Sequence, residues 1–416
     1  MEKYILRGGQ KLNGEITLQG AKNSVLPLLA ATLLYAGETV LYNVPKIKDV
    51  EGTINILRYI GCRVRVEGNT VTVDASGASR TDIPDELMQE MRSSVLFVGA
   101  LLARFGSARL TRPGGCEIGT RPIDIHLGCF EQLGYRYTNE GGKLTFSAQN
   151  PAGNTLDLSF PSVGATENAM IVAALLEGKT VIRNAAKEPE IVDLEKLLTK
   201  MGASVRGAGS GEIVVEGVRT LQAAVHTVLP DRIAAATYLS AVCATGGDVT
   251  IRHVRPADMY AILAPLRQMG AEIDLDEQTV RLQMRGRPRA VRPTKTMPHP
   301  GFPTDALPPL LAAACYARGT SIFTETIFEN RYRCVSDLVR MGGNIVLSDR
   351  VAVVDGVRQL YGKEVIASDL RGGAALVVAA LAAQDESKIG GVEHIERGYE
   401  EIEKAFNSLG ADIRAV

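Results

Sequence analysis

The chain lacks the features of several broad classes of protein. Its 416 residues contain no apolar run of the roughly 18–20 residues that a membrane-spanning helix needs, the longest being VLPLLAATLLYAG at 25–37. The first ten residues, MEKYILRGGQ, have neither the basic nor the apolar region of a secretory signal. The formal net charge is −1, so no basic field favours nucleic acid or acidic membranes. We therefore expect a cytoplasmic protein with no membrane insertion and no nucleic-acid partner.

Signatures of metal and nucleotide-loop sites are also missing. The six cysteines show no CxxC spacing, and the five histidines show no metal-ligand spacing. No GxxxxGK[ST] sequence occurs, and the glycine-rich RGAGSGEI (206–213) leads into a strand instead of a helix, which favours a turn. We expect reduced thiols, no metal and no cofactor.

What the chain does contain is a repeat. Segments such as ILRYIGCRVRV, LLTKMGASVRG and PLRQMGAEIDL each read as the last turn of an amphipathic helix, a glycine that ends it, and a strand. The intervals between these glycines are 68 to 73 residues, which predicts six related units. The six glycines are Gly61, Gly134, Gly202, Gly270, Gly342 and Gly410.

Each unit also carries an earlier helix rich in alanine and leucine, such as NAMIVAALLEG, which is apolar on nearly all faces and should be buried. The predicted order within a unit is buried helix, strand, amphipathic helix, strand, strand. The last unit ends one strand short, so we expect the amino-terminal strand to complete it. The sequence therefore predicts an α/β protein of two domains, 22–229 and 1–21 plus 230–416, each of three units with buried helices and outer sheets.

The starts of the six buried helices are the first candidate site. Helix amino termini present free N–H groups and partial positive charge, which attract anions. Asn, Asp and Thr at these positions also suit helix capping, but a cation there opposes the helix dipole. Lys22, Arg92 and Arg371 lie at such starts. The three cations favour an anionic ligand.

The second candidate is the stretch RPGGCEIGTRPID (112–124). Its glycines suit a loop that closes over a substrate, and the arginines near Cys116 lower the pKa of a thiol and raise its reactivity. The other five cysteines fit inert, structural positions.

The sequence resembles the enolpyruvyl transferase family over essentially its whole length, and within it the UDP-N-acetylglucosamine 1-carboxyvinyltransferases. The resemblance is carried by GAKNSVLP, PGGCEIGTRPIDIH, FPSVGATEN, PGFPTD, TETIFENR, SDLRGGAAL and HIERGYE. It implies two inside-out α/β barrels that face each other across a cleft, with the glycine-rich loop on the first domain. It also implies transfer of enolpyruvate from phosphoenolpyruvate to the 3′-hydroxyl of UDP-N-acetylglucosamine, with release of phosphate, in the first committed step of peptidoglycan synthesis.

The resemblance also implies roles for individual residues. Cys116 would be the general acid and the target of the epoxide fosfomycin, and Asp305 would accept the proton of the sugar hydroxyl. Lys22 and Arg397 would act at the reacting centre. The substrate-binding set implied by the same segments is Lys22, Asn23, Arg92, Arg121, Pro122, Ile123, Asp124, Ile125, Ser162, Val163, Gly164, Asp305, Ile327, Asp369, Arg371 and Arg397.

The sequence departs from the family pattern in two places. Around Asp305 the run is TDALPPLL (304–311), with Pro308 and Pro309 where relatives usually carry glutamine-containing segments. Prolines are tolerated in the first turn of a helix, so we expect the helix to form. Leu96 stands where many relatives carry an aromatic residue. Neither departure alters the proposed acid, base or cations.

Two other functions stay open. One is the related transferase that acts on shikimate 3-phosphate and shares the repeat. The other is a non-catalytic paralogue that binds the nucleotide sugar. The oligomeric state cannot be derived from the sequence.

Overall fold

The computed structural model describes residues 3–111, 114, 118–119 and 122–416. Contacts between residues divide the chain into two compact units, each with its own hydrophobic core. Unit 1 contains residues 3–19 and 230–416, with 118–119. Unit 2 contains residues 20–111, 114 and 122–229. Among the helices of the described residues, none has both the length and the hydrophobicity needed to cross a bilayer.

Unit 1 contains both ends of the chain. Its strands are β1 (Tyr4–Arg7), β2 (Leu12–Thr17), β14 (Gly247–Arg252), β15 (Glu272–Leu275), β16 (Thr279–Met284), β17 (Thr294–Lys295), β18 (Thr320–Thr324), β19 (Asn344–Ser348), β20 (Val351–Asp355), β21 (Glu364–Ile366), β22 (Glu386–Gly390) and β23 (Asp412–Ala415). Its helices are α8 (Arg232–Thr245), α9 (Tyr260–Gln268), α10 (Leu307–Ala314), α11 (Val335–Arg340), α12 (Leu370–Ala382), α13 (Val392–Ile395) and α14 (Ile402–Ser408), with 3₁₀ turns at Pro256–Asp258 and Thr304–Ala306.

Unit 2 is built from the same kinds of secondary-structure element. Its helices are α1 (Lys22–Ala31), α2 (Lys48–Ile60), α3 (Asp85–Glu90), α4 (Leu96–Phe105), α5 (Asp124–Gln132), α6 (Val163–Ala173) and α7 (Pro189–Lys200), with 3₁₀ turns at Thr32–Leu34 and Arg92–Val95. Its strands are β3 (Glu38–Tyr42), β4 (Arg63–Glu67), β5 (Thr70–Asp74), β6 (Ser107–Thr111), β7 (Tyr135–Glu140), β8 (Lys143–Ala148), β9 (Thr155–Asp157), β10 (Lys179–Arg183), β11 (Ser204–Arg206), β12 (Glu212–Glu216) and β13 (Val225–Thr227).

The predicted repeat is present in the structure. All six repeat glycines have positive φ, from 87° to 111°, which ends an α-helix without the steric cost that a Cβ would bring. The order α1, β3, α2, β4, β5 recurs, for example as α8, β14, α9, β15, β16. The sequence did not predict the short strands that add a parallel edge to the repeats, such as β13 beside β3 and β9 beside β10. These strands have only three residues, too few for an alternating pattern to identify.

The helices that are apolar all round form the core of each unit, as predicted. In α8 every residue from Arg232 to Ala244 is buried, and in α12 every residue from Leu370 to Leu381. Helices α8, α10 and α12 contact one another in unit 1, while α4 contacts α1 and α6 in unit 2. By contrast, α2 buries only one face. The apolar interior therefore lies among the first helices of the repeats.

The described strands form six separate sheets, three in each unit. In unit 1 their orders are β15-β16-β14-β2, β17-β18-β20-β19 and β21-β22-β1-β23, and in unit 2 they are β13-β3-β5-β4, β6-β8-β7 and β11-β12-β10-β9. Strand β1 pairs with the carboxy-terminal β23, which confirms that the amino-terminal strand completes the sixth repeat. The fold is therefore mixed α/β, as predicted. Among the described strands no sheet closes on itself, so no closed barrel is observed.

Candidate active site

Two buried helices of unit 1 start at aspartate caps. The Asp231 carboxylate accepts hydrogen bonds from the amides of Ile233 at 2.9 Å and Ala234 at 3.0 Å. Asp369 accepts in the same way from the amides of Arg371 at 3.1 Å and Gly372 at 2.9 Å. These bonds satisfy N–H groups that a helix leaves without partners in its first turn. Asp369 is thus a cap that fixes the backbone of Arg371.

Arg371 is an almost completely buried cation. Its side chain is 2% exposed, its Nε donates to Asp305 Oδ2 at 3.3 Å, and it stacks over the Tyr399 ring at 5.3 Å. Within the described part of the chain neither terminal nitrogen has a hydrogen bond of good geometry, although the Tyr399 hydroxyl also interacts with the guanidinium. Burial lowers the pKa of this guanidinium, but nearby oxygens, those of Tyr399 and Asp305 foremost, outweigh burial and raise the pKa above its usual value. The group is therefore charged and presents a fork that suits a carboxylate or phosphate.

Asp305 lies between two arginines. It belongs to the 3₁₀ turn before α10, and its other oxygen accepts from Arg331, which is also 2% exposed. Arg331 was not selected from the sequence, although TETIFENR contains it, because nothing local to that loop indicates its partner. The prolines after Asp305 lie in the first turn of α10, so the expectation that this helix forms is confirmed.

Two loops carry the remaining candidates of unit 1. Arg397 lies half-buried in the turn after α13. The Gln19 amide holds the residues that follow it, donating to the Gly398 carbonyl at 3.0 Å and accepting from the Glu400 amide at 2.8 Å. Ile327 lies half-buried in the turn after β18.

In unit 2, Lys22 is the first residue of α1. Its Nζ lies 2.8 Å from Asp49 Oδ2 in the first turn of α2, and its side chain is 13% exposed. The neighbouring Asn23 is exposed. The ion pair directs the ammonium group beside the helix start, where the sequence predicted an anion.

A buried network lies directly behind Lys22. Asp193, on α7, accepts from Ser24 Oγ at 2.6 Å and from the Leu229 amide at 3.2 Å, and its other oxygen is 3.0 Å from His226 Nε2. All of these polar groups except the Leu229 amide belong to side chains that are at most 4% exposed. Asp193 therefore joins the start of α1 to the segment that leaves unit 2.

A second network joins the predicted sugar-binding segments. Asn168 Nδ2 lies 2.9 Å from His126 Nδ1, and Asn168 Oδ1 accepts from the Gly99 amide at 2.9 Å. Burial, with a smaller contribution from the charge of Arg92, lowers the pKa of His126 to about 3, so its ring is neutral at physiological pH. A Cβ at Gly164 would come within 3.1 Å of this ring. The ring thus places 162–164 beside the start of α5.

The other predicted substrate-binding residues of unit 2 lie on the same segments or next to them. Ser162 caps α6, its Oγ accepting from the Ala165 amide at 3.4 Å, and Val163 is the first residue of that helix. Pro122 and Asp124 are exposed, while Ile123 and Ile125 are half-buried. Arg92 begins a 3₁₀ turn and is half-buried; Leu96, which departs from the family pattern, is buried in the core.

Glu167 is a buried acid that the sequence did not single out as chemically unusual. It lies on α6, is 3% exposed, and its Oε1 has no hydrogen-bond partner in the described part of the chain. Burial and the charges of Glu190 and Glu188 raise its pKa well above 4.5. An uncharged carboxyl is therefore favoured at this position.

Cys116 and Arg121 lie outside the described residues. The five other cysteines are buried, as expected for structural thiols. Burial raises the pKa of Cys62 to about 11 and that of Cys243 to about 12, which disfavours the reactive thiolate. Within the described ranges, no group of three or more His, Cys, Asp or Glu side chains has the arrangement of a metal site.

Comparison with known sequences identifies relatives over the full length of the chain. The model of the family described as EPSP synthase (3-phosphoshikimate 1-carboxyvinyltransferase) matches residues 6–406. UDP-N-acetylglucosamine 1-carboxyvinyltransferase 2 of Caldanaerobacter subterraneus is 46% identical over 413 residues, covering 99% of both chains. UDP-N-acetylglucosamine 1-carboxyvinyltransferase 1 of Symbiobacterium thermophilum is 48% identical over 421 residues, covering 100% of this chain and 95% of the relative.

Solved structures of enolpyruvyl transferases also match the chain over its full length. The enolpyruvyl transferase NikO of Streptomyces tendae matches with a TM-score of 0.88 and 26% identity, covering 100% of this chain and 99% of its own. The EPSP synthase of Acinetobacter baumannii matches with a TM-score of 0.76 over the same shares, but at 19% identity it shows the fold alone. The chain therefore belongs to the EPSP synthase (3-phosphoshikimate 1-carboxyvinyltransferase) family of enolpyruvyl transferases.

Proposed function

We propose that this enzyme transfers the enolpyruvyl group of phosphoenolpyruvate to the 3′-hydroxyl of UDP-N-acetylglucosamine and releases phosphate. The observation that carries the proposal is the 44–48% identity, over nearly the full chain, to relatives named UDP-N-acetylglucosamine 1-carboxyvinyltransferase. The likeness to a solved EPSP synthase is much lower in sequence, at 19%. This difference favours the nucleotide sugar over shikimate 3-phosphate as the acceptor.

The proposed reaction is an addition followed by an elimination. A proton goes to the methylene carbon of phosphoenolpyruvate while the sugar oxygen bonds to the adjacent carbon and gives up its own proton. The intermediate then loses phosphate from that carbon and a proton from the new methyl group, which restores the double bond. The electrons balance without an oxidant or reductant. The protein has to supply one acid, one base and cations for the charge of phosphoenolpyruvate.

The residues proposed for these tasks come from the motifs. Cys116 is the acid that protonates the methylene carbon, and Asp305 is the base that takes the sugar proton. Arg371 and Arg397 bind the carboxylate, and Lys22 contacts the reacting centre. Arg92 and Arg121 provide further positive charge for the phosphate, and Asn23 contacts the amino sugar. The proposed sugar-nucleotide contacts are residues 121–125 and 162–164, with Ile327.

The surroundings of Arg371 support an anionic substrate independently of the motifs. A buried guanidinium normally hydrogen-bonds with all of its nitrogens, because an unpaired buried donor costs about 1–3 kcal/mol. Here neither terminal nitrogen has a hydrogen bond of good geometry among the described residues, while Nε pairs with Asp305. A substrate carboxylate would satisfy both nitrogens with two parallel bonds.

Further parts of the proposal follow from the assigned reaction. The step would be the first committed one of peptidoglycan synthesis, in the cytoplasm, and hence needed for cell shape and division. The three sheets around the buried helices of each unit would form the barrel-like arrangement that the sequence predicted. Fosfomycin would alkylate Cys116, and Cys116→Asp would prevent this while keeping some activity. A peptide mass map that located the adduct on another cysteine would contradict the assignment.

The deciding experiment measures phosphate release from phosphoenolpyruvate by the purified protein with one acceptor at a time. We expect release with UDP-N-acetylglucosamine, none with shikimate 3-phosphate, and none without an acceptor. The control is Cys116→Ala, which should remain folded and release no phosphate. Release with shikimate 3-phosphate alone would assign the other transferase. No release by a well-folded sample would favour a non-catalytic protein that binds the nucleotide sugar.

A further inference from the structure

Glu325 is a buried carboxylate with no assigned role. It follows the last residue of β18 and is 1% exposed, although glutamate is rarely buried so deeply without a partner. In the described part of the chain no lysine or arginine pairs with it directly. Its partners are instead hydroxyls and backbone amides. The role of this buried carboxylate therefore depends on which residues those partners position.

The four hydrogen bonds of Glu325 divide between its two oxygens. Oε1 accepts from the amides of Ile327 at 2.6 Å and Phe328 at 3.1 Å and from Thr296 Oγ1 at 2.9 Å. Oε2 accepts from Thr304 Oγ1 at 2.7 Å. The first oxygen therefore shapes the turn that carries Ile327, and the second reaches the residue directly before Asp305.

The hydroxyl of Thr304 connects Glu325 to the paired charges. A hydroxyl has one proton, and Thr304 gives it to Glu325, which leaves the oxygen lone pairs as acceptors. One of them accepts from Arg331 Nε at 3.0 Å, and a terminal nitrogen of the same guanidinium donates to Asp305. Glu325 thus sets the direction of the hydroxyl, the hydroxyl sets the angle of Arg331, and Arg331 holds Asp305.

We propose that Glu325 is a positioning residue for the transfer reaction, acting through Thr304 and Arg331 to hold Asp305 and through the turn amides to hold Ile327. The inference rests on the proposed function, in which Asp305 accepts the sugar proton and Ile327 contacts the nucleotide sugar. A single buried carboxylate then fixes the proton acceptor relative to a surface that binds the substrate carrying that proton. Preorganisation of this kind needs supporting groups whose own geometry is fixed by hydrogen bonds.

Glutamine cannot replace Glu325 in this arrangement. If its amide NH₂ faced Thr304, the threonine proton would lose its acceptor and the hydroxyl would turn away from Arg331. If the NH₂ faced the turn instead, it would oppose the two backbone amides of Ile327 and Phe328, which are also donors. The second orientation is the costlier one, because backbone amides cannot rotate to avoid another donor. Glutamine should therefore break the Thr304 branch while leaving the volume of the side chain unchanged.

The test compares Glu325→Gln, Thr304→Val, Thr304→Ser and the double variant Glu325→Gln/Thr304→Val in steady-state phosphate release. We expect kcat to fall roughly 10- to 100-fold in both Glu325→Gln and Thr304→Val, as displaced catalytic groups commonly cause. Thr304→Ser retains the hydroxyl and should restore most of kcat. The double variant should be no slower than the slower single variant, because both changes break the same path.

Ser321→Ala is the matched control. Ser321 lies on β18, is fully buried, and accepts a hydrogen bond from the Val291 amide at 3.1 Å, so its loss also leaves a buried donor unpaired. It should lower thermal stability while leaving kcat near the wild-type value. An equal loss of kcat in Ser321→Ala, additive effects in the double variant, or a wild-type kcat in Glu325→Gln would each overturn the positioning role.

The outcome for Glu325 can be separated from the outcome for the proposed function. A wild-type protein that releases no phosphate would reject the function. In that case the crystal structure of Glu325→Gln would decide the positioning role: we expect Arg331 rotated away from Asp305, and an unchanged pair would overturn it.

Discussion

The candidate charges of unit 1 and unit 2 are held by different means. In unit 1, Arg331 and Arg371 are both 2% exposed and bind the two oxygens of Asp305. In unit 2, Lys22 forms an ion pair with Asp49, and buried hydrogen-bond networks centred on Asp193 and Asn168 hold the neighbouring segments. Both units use the start of a buried helix, but unit 1 places one carboxylate between two buried arginines, whereas unit 2 adds hydrogen-bond networks to a single lysine–aspartate pair.

The two arrangements should differ in how much a substitution costs in free energy. Removing one member of a buried ion pair leaves an uncompensated charge and costs about 3–5 kcal/mol, whereas loss of an acceptor in a buried hydrogen-bond network costs about 1–3 kcal/mol for each donor left unpaired. Substitutions at the unit 1 charges should therefore affect both stability and activity. Substitutions in the hydrogen-bond networks next to Lys22 and Arg92 should lower stability more than activity. The predictions below test this contrast.

The largest effect is expected for Arg371→Lys in unit 1. Lysine keeps the charge but cannot present two parallel donors to a carboxylate. A hydrogen bond to a charged group contributes about 1.5–3 kcal/mol, so the loss of one should lower kcat/KM for phosphoenolpyruvate by roughly 10- to 150-fold. Steady-state phosphate release at varied phosphoenolpyruvate concentration measures this loss.

Arg287→Lys is the matched control for Arg371→Lys. Arg287 is an arginine of the same unit whose guanidinium donates to backbone carbonyls, among them those of Tyr316 at 2.8 Å and Val357 at 2.7 Å. Its replacement should lower stability and leave kcat/KM nearly unchanged. Equal losses of kcat/KM in the two variants would mean that Arg371 contributes through structure alone, and the contrast between the units would fail.

A smaller effect on activity, with a clear effect on stability, is expected for Asp193→Ala in unit 2. The change leaves the Ser24 hydroxyl, the Leu229 amide and His226 without their common acceptor. Each unpaired buried donor costs about 1–3 kcal/mol, so the free energy of unfolding should fall by about 3 kcal/mol or more. Urea unfolding measures it.

Asp369→Ala in unit 1 supplies the comparison for Asp193→Ala, because it removes a helix cap worth about 0.5–2 kcal/mol. A loss for Asp193→Ala no greater than that for Asp369→Ala would show that the Asp193 network has no more importance than one cap.

The features that could be predicted from the sequence are those that leave a local pattern, whereas contacts between distant segments leave none. The repeat glycines and the apolar helices could be read directly, because backbone conformation and burial leave a local pattern. The two capping aspartates could be read for the same reason. Arg331 and Glu325 could not be identified in this way. Their partners lie in another segment, near residue 304, and only the folded unit brings the two loops together.

His126 and Asp193 illustrate a second limit. A histidine or aspartate on an otherwise ordinary helix has no local signature that separates a surface position from a buried hydrogen-bonding one. Asp193 lies on an amphipathic helix whose polar face should be solvated, yet the return of the chain at 225–229 covers it. Predicting such a network requires the three-dimensional path of the segment that covers the helix.

The smallest expected effect concerns Glu167 of unit 2 and shows itself as a pH dependence. Its pKa is raised well above 4.5 by burial and neighbouring acids, so the folded state binds a proton that the unfolded state releases near pH 4.5. The contribution of Glu167 to stability is therefore complete below pH 4.5 and is lost as the pH rises toward its folded pKa. Glu167→Gln has no such proton to lose. Its stability relative to the wild type should increase with pH across this window, by up to about 1.4 kcal/mol per pH unit.

Urea unfolding at several pH values measures this slope, with Glu177→Gln as the control, since Glu177 is exposed in the same unit. The control should follow the wild type at every pH. A Glu167→Gln curve parallel to the wild type would mean that Glu167 titrates normally. Unit 2 would then keep a buried charge unpaired behind its helix start, and the contrast with the paired charges of unit 1 would have to be given up.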